Sequence, residues 1–178
     1  PPFSYVRSKL MSTYKFKRPK REIDRIFLHC SATNVPSHDD VEVIRRWHKD
    51  QGWSDVGYHF FITSGGELQV GRKLSNSPAA QKGHNAGTIA ICLSGLNVGD
   101  FTERQFDTLI KLCEDINEQI PNLTFHGHCE VSNKMCPVFD YRKVLSLDEF
   151  GAIKQDLEVD DLATRVSELE RRVAALEK

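Results

Sequence analysis

The sequence lacks any stretch of about 18 consecutive apolar residues, so nothing in it reads as a membrane-spanning helix. No compact apolar run follows the basic residues near its start, so no secretory signal is expected. Neither sign of charge is in surplus. Lys and Arg number 24 against 25 Asp and Glu, a formal net charge of −1, which gives no long-range reason to expect nucleic acid or an anionic membrane as a partner. Cysteine is sparse and odd in number. Cys30, Cys92, Cys113, Cys129 and Cys136 are scattered, which argues against a disulfide framework and for reduced thiols or metal ligation. At 178 residues the chain suits one domain with an appendage, and a domain of that size buries a workable core without covalent staples.

What is present suggests three parts: a basic lead over residues 1–22, a domain over 23–147, and a helical tail over 148–178. The lead carries Lys15, Lys17, Arg18, Lys20 and Arg21 and reads as a solvated flank. Ile26-Phe27-Leu28 is short, apolar and β-prone, a buried strand expected to end at His29. Ser37 is a plausible N-cap for a helix bearing Val41, Ile44, Trp47 and His48 and stopped by Gly52. Tyr58 to Ile62 and Glu67 to Val70 flank Thr63-Ser64-Gly65-Gly66, a hairpin signal. Ile89 to Leu93 and Leu123 to Phe125 read as further strands. Between them, Thr102 with Gln105 has capping-box spacing and Phe101 with Phe106 has that of a hydrophobic staple. That helix continues through Leu109, Cys113 and Ile116 to Pro121. Interleaved strands and helices predict an α/β fold, a mixed central sheet flanked by helices.

The tail has a different period. Val159, Leu162, Val166, Leu169, Val173 and Leu176 alternate spacings of three and four, with Val at a and Leu at d. Arg165 and Arg172 fall at g, and Glu170 and Glu177 at e, where they pair across parallel helices. The tail is therefore expected to be a coiled-coil helix that makes the protein a homo-oligomer, with two and three strands both open.

Catalytic zinc takes three protein ligands from His, Cys and carboxylate and keeps a fourth position for water. His29, His128 and Cys136 are of the right types, although spacing alone does not single them out. Their surroundings do. The stretches "IFLHCSAT", "IRRWHKDQGWSDVGYHF", "KGHN..TIAICLSG" and "HCEVSNKMCPVFD" together resemble the zinc N-acetylmuramoyl-L-alanine amidases. The branch they resemble is that of the small bacteriophage lysozymes, which shares its fold with peptidoglycan recognition proteins. The resemblance runs over about residues 24 to 145. It implies a mixed sheet with about three helices and one zinc ion held by His29, His128 and Cys136. Relatives with neither Cys nor carboxylate at the third place bind the polymer without cutting it, so Cys136 implies an enzyme.

The same resemblance puts Tyr58 of "GYHF" and Lys134 of "KMCP" at the family's catalytic tyrosine and lysine. Amide hydrolysis at neutral pH needs an activated water, a group to orient or deprotonate it, and a positive donor for the oxyanion. Asn85, His84 and Trp53 are the candidates for gripping substrate. Of the other histidines, His126 alternates with His128 and should face away from any shared metal, and His59 should point away from Tyr58. His48 is expected to pack or hydrogen-bond beside the site. The pattern also departs from the family. Ala80 stands where the phage enzymes carry a His, and Gly87 where they carry a second Asn, so substrate contacts around residues 78 to 88 are expected to differ.

The implied function is hydrolysis of the bond between N-acetylmuramic acid and L-alanine in peptidoglycan, by a phage-type endolysin. Such a protein would be made in the host cytoplasm without a signal peptide and would act on the cell wall after release or delivery. Two other readings stay open: a regulatory protein that binds a phage RNA polymerase, and a cell-wall module tethered to a virion by its tail.

Overall fold

A computed structural model describes residues 13–154 and residues 166, 167, 169, 170 and 173. Among the described residues there are five strands, β1 (Arg25–Cys30), β2 (Phe60–Ile62), β3 (Leu68–Val70), β4 (Thr88–Leu93) and β5 (Thr124–Gly127). They form one sheet in the order β3-β2-β4-β1-β5. β2, β4, β1 and β5 run parallel, and only the β2–β3 hairpin is antiparallel. In β1 and β4 nearly every residue is buried, because a parallel sheet is covered on both faces. In the hairpin, Gly66 takes a φ of +85°, a left-handed turn that a residue with a Cβ adopts at a cost.

Side-chain alternation divides β1 between the two faces. Ile26 and Leu28 join Phe60, Ile62, Ile89, Ile91 and Leu93 in one apolar cluster, which is closed by Leu109, Leu112, Cys113 and Ile116 of helix α2 (Glu103–Gln119). The expected capping box opens that helix: the Thr102 side chain accepts from Gln105 N–H, and the Gln105 side chain accepts from Thr102 N–H. Phe101 and Phe106 stack with ring centroids 6.3 Å apart. The opposite face meets helix α1 (Val41–Asp50) through Val41, Ile44, Val56, Phe61 and Cys92.

The start of α1 departs from expectation. Ser37 lies in a 3-10 turn over Pro36–His38, and Asp40 caps the helix, its carboxylate accepting from Glu42 N–H at 2.7 Å. Pro36 sets the fixed φ that begins the turn, and a carboxylate at a helix N-terminus also meets the positive end of the helix dipole. The lead differs too. Tyr14 packs edge-on against Phe60 with centroids 5.3 Å apart, and its backbone N–H donates to Asp115 Oδ2 at 2.7 Å. Lys15, Lys17, Arg18 and Lys20 are exposed, but residues 13–16 also lie on the domain, because Tyr14 and Phe16 alternate onto the apolar cluster.

A short helix α3 (Tyr141–Val144) follows β5, and Gly151 O accepts from Phe125 N–H at 2.8 Å along that outer strand. The expected coiled coil falls largely outside the described residues. Of its seam, Val166, Leu169 and Val173 are described, and they are helical and exposed. No helix among the described residues is long and apolar enough to cross a membrane.

Candidate metal centre and active site

β1 and β5 are parallel neighbours in register, with Leu28 opposite Gly127. The next residue along each strand is therefore His29 and His128, delivered side by side at the C-terminal ends of the strands. Their rings lie 4.7 Å apart. The chain then turns back so that Cys129 N–H donates to Cys136 O at 2.7 Å, which brings the Cys136 thiol to the same place. That return passes close over β5. A Cβ on Gly127 would sit 2.6 Å from the Tyr141 ring and 3.0 Å from both Cys129 Sγ and Pro137 Cδ, so the position requires glycine. His29, His128 and Cys136 each direct one ligand atom inward, all within 4.8 Å of one another, with His29 Nδ1 and Cys136 Sγ at 3.7 Å.

Electrostatics disfavour the protonated form of both histidines. Burial, followed by the nearby His128 and Lys134 charges, lowers the His29 pKa to about 3, so its ring is neutral at pH 7 with a bare nitrogen. Burial and then Lys134 lower His128 as well. Hydrogen bonding to Cys30 and then burial hold the Cys136 thiol above its ordinary range. A dication would reverse that order and favour the thiolate. Cys30 N–H already donates to Cys136 Sγ at 3.2 Å.

Tyr58 packs its ring 5.2 Å from that of His29 and is half-buried. Burial, with the thiols of Cys92, Cys136 and Cys30 next in weight, pushes its phenol well above the ordinary value. Lys134 is exposed, yet its charge reaches both His29 and His128. The structure thus brings five of the eight candidate residues to one place.

The other three are not part of that cluster. Trp53 is 41% exposed and rests on His48 with centroids 4.5 Å apart. His48 Nδ1 in turn accepts from Gly57 N–H at 3.0 Å, next to Tyr58, as its expected supporting role requires. His84 is exposed on the loop before β4. Asn85 turns its Oδ1 toward its own loop and accepts from the backbone N–H groups of Ala80 and Gln81, each at 3.1 Å.

His126 does not lie on the opposite face as expected: two residues before His128 and opposite Phe27, it shares the sheet face of Phe27 and His29, and it is kept out of the cluster by partners of its own. It stacks on Phe27 at 5.4 Å and bonds Glu130 Oε2 at 2.7 Å. His59 is buried elsewhere, against Asn76 O and Ala90 N–H.

Two functional neighbours are invisible in the sequence pattern. Glu130 accepts from the Tyr141 hydroxyl and from Gly127 N–H, and so ties down the turn that carries His128. Gln81 is fully buried, with Oε1 3.1 Å from His29 Nε2 and Nε2 2.8 Å from Thr88 Oγ1. A lone Gln in a polar loop carries no signal of burial. Only the neighbouring Ala80, where a His was expected, marked this segment as altered.

Comparison with known proteins agrees with this geometry. The family model of N-acetylmuramoyl-L-alanine amidase matches residues 19–139. The endolysin of Escherichia phage T7 is 36% identical over 140 residues, covering 75% of this chain and 91% of that protein. Among solved structures, the endolysine N-acetylmuramoyl-L-alanine amidase LysCS from Clostridium intestinale superposes with a TM-score of 0.64 at 26% identity. That match covers 76% of this chain and 91% of LysCS. Drosophila PGRP-LB shares the fold with a TM-score of 0.64 at 19% identity, over 79% of this chain and 89% of its own. A family match spanning well over half the chain, on a sheet that gathers two histidines and a cysteine, places this protein in the N-acetylmuramoyl-L-alanine amidase family.

Proposed function

We propose that the chain is a zinc-dependent endolysin that hydrolyses the amide bond between N-acetylmuramic acid and L-alanine in peptidoglycan. The observation that carries this reading is the convergence of His29, His128 and Cys136 in a member of the amidase family. The donor set fits zinc: two neutral imidazoles and a thiol, with His29 Nδ1 and Cys136 Sγ 3.7 Å apart. That distance lies within the roughly 3.3–3.8 Å that tetrahedral bonds of about 2.0–2.3 Å require. A zinc ion bound there supplies Lewis acidity and lowers the pKa of water toward 7.

The protein's own groups would do the rest. A phenol with a raised pKa stays protonated at neutral pH, so Tyr58 serves as a hydrogen-bonding group that orients the attacking water and not as a phenolate base. Lys134, whose charge is felt by both His29 and His128, stabilises the oxyanion that forms from the carbonyl oxygen. Trp53 offers an exposed aromatic face to the substrate. His84 contacts the substrate from the loop that Asn85 shapes.

The test is release of new L-alanine amino termini from purified peptidoglycan, measured with a chelator and after zinc is restored. Activity should vanish with the chelator and return with zinc. Chelator-resistant cleavage, or cleavage at a glycosidic bond, would overturn the reading. Val166, Leu169 and Val173, each helical and exposed, further support self-association through the tail. Full-length protein should be heavier in solution than a chain lacking residues 155–178, and equal monomeric masses would remove that part.

A further inference from the structure

The hydrogen bonds around Gln81 form a chain with a single consistent direction. Thr88 Oγ1 lies 2.8 Å from the Asn85 carbonyl oxygen, which can only accept, so the hydroxyl spends its one proton there. Thr88 Oγ1 must then accept from its other partner, Gln81 Nε2, at 2.8 Å. This fixes the orientation of the amide, whose two ends geometry alone does not distinguish. Gln81 Oε1 is accordingly the atom that faces His29 Nε2 at 3.1 Å. A carbonyl oxygen needs a donor, so His29 carries its proton on Nε2. The bare nitrogen is Nδ1, the atom 3.7 Å from Cys136 Sγ.

Nothing else is required to hold Gln81 in place. Its backbone N–H donates to Asn85 Oδ1 and its carbonyl accepts from His84 N–H at 2.9 Å. The side chain is fully buried, so no bulk water competes for either end of the amide.

We propose that Gln81 is a positioning residue that locks His29 as the Nε2–H tautomer and thereby presents Nδ1 to the metal, with Thr88 and the Asn85 carbonyl setting the direction of the relay. This rests on the zinc reading above and names the group that prepares its first ligand. Ligating histidines depend on such a partner for orientation, and its loss lowers metal affinity roughly 10- to 100-fold. Asn85, expected on the substrate side, belongs to this support through both its backbone and its side chain.

The test joins a measurement on the unaltered protein with two variants. In metal-free wild-type protein at neutral pH, long-range 1H–15N correlation of the His29 ring should show the Nε2–H tautomer, and an Nδ1–H ring would overturn the proposal. Zinc affinity is measured separately, by competition with a chromophoric chelator. Gln81→Leu should keep the far-ultraviolet circular dichroism of wild type, lose the single tautomer at His29, and bind zinc about 10- to 100-fold more weakly. Gln81→Glu keeps an acceptor toward His29 and should retain the tautomer, with an affinity closer to wild type than to Gln81→Leu. A folded Gln81→Leu with wild-type affinity and an unchanged tautomer would overturn the proposal. Should Gln81→Leu not fold, the wild-type tautomer and Gln81→Glu decide the matter. A wild-type protein that binds no zinc would instead overturn the metal reading, and the titration tells that apart from equal affinities.

Discussion

The same strands serve two unlike faces of the sheet. Toward α2, Ile26, Leu28, Ile91 and Leu93 meet Leu109 and Ile116, and their contribution is apolar area removed from water. Toward α1, the alternate residues of the same strands are Phe27, His29 and Cys92, and beside them lie Tyr58 and Gln81. There burial is a cost to any charged form, and together with the nearby His128 and Lys134 charges it holds His29 neutral, while Gln81 satisfies the buried ring nitrogen. One face supplies stability, which lets the other keep a buried imidazole and thiol in a reactive arrangement. Activity and stability should therefore separate by face.

The sharpest break is expected at Cys136. Cys136→Ser should abolish both bound zinc and hydrolysis, since a hydroxyl replaces a thiolate ligand poorly, while the melting temperature of the metal-free protein changes little. Metal analysis and amino-terminus release on one sample check this, and retention of full metal and activity would show that the site is misassigned.

Next in size come Tyr58→Phe and Lys134→Ala. Each should keep zinc but lose on the order of a hundredfold in turnover, the scale of one orienting or oxyanion group. Zinc loss in either variant would place that residue in the support of the metal instead.

Acid should expose the neutral histidine. The unfolded chain binds a proton at His29 near pH 6.5, and the folded chain does so only near pH 3. Below about 6.5 the unfolded state thus holds more protons, and the stability of the metal-free protein falls as pH drops toward 3. The slope is at most about 1.4 kcal/mol per pH unit from this group. Denaturant melts from pH 7 to 4 should be steeper in pH for wild type than for His29→Asn; equal slopes would mean that the ring is not held neutral.

The smallest effect on turnover should come from the other face. Leu109→Ala removes a fully buried side chain and should cost about 2–5 kcal/mol of stability. Per folded molecule, its turnover should match wild type well below the melting temperature. A hundredfold turnover loss there would erase the distinction between the faces.

Much of the fold was legible because it is written in local patterns. The run Ile26-Phe27-Leu28, the Gly65-Gly66 hairpin and the Thr102/Gln105 capping box depend on neighbours within a few residues, and all three appear as expected. The start of α1 did not, since Ser37 and Asp40 are both good caps and the turn at Pro36 chose between them. Tyr14 and Phe16 were hidden in a basic lead whose charges outweigh them in any local reading, although the sheet and α2 offer them an apolar seat.

By itself, the sequence determined the strands and the long helix, because short-range period carries that information, and its resemblance to the amidases pointed to three candidate metal ligands. Their convergence was decided by the tertiary structure. The parallel register of β1 with β5 sets His29 beside His128, the tight passage at Gly127 returns Cys136 to them, and burial turns Gln81 from an ordinary polar residue into the partner of His29. Burial and long-range pairing arise only once distant segments meet, and a hydrogen bond gains its directing force when water is excluded from it.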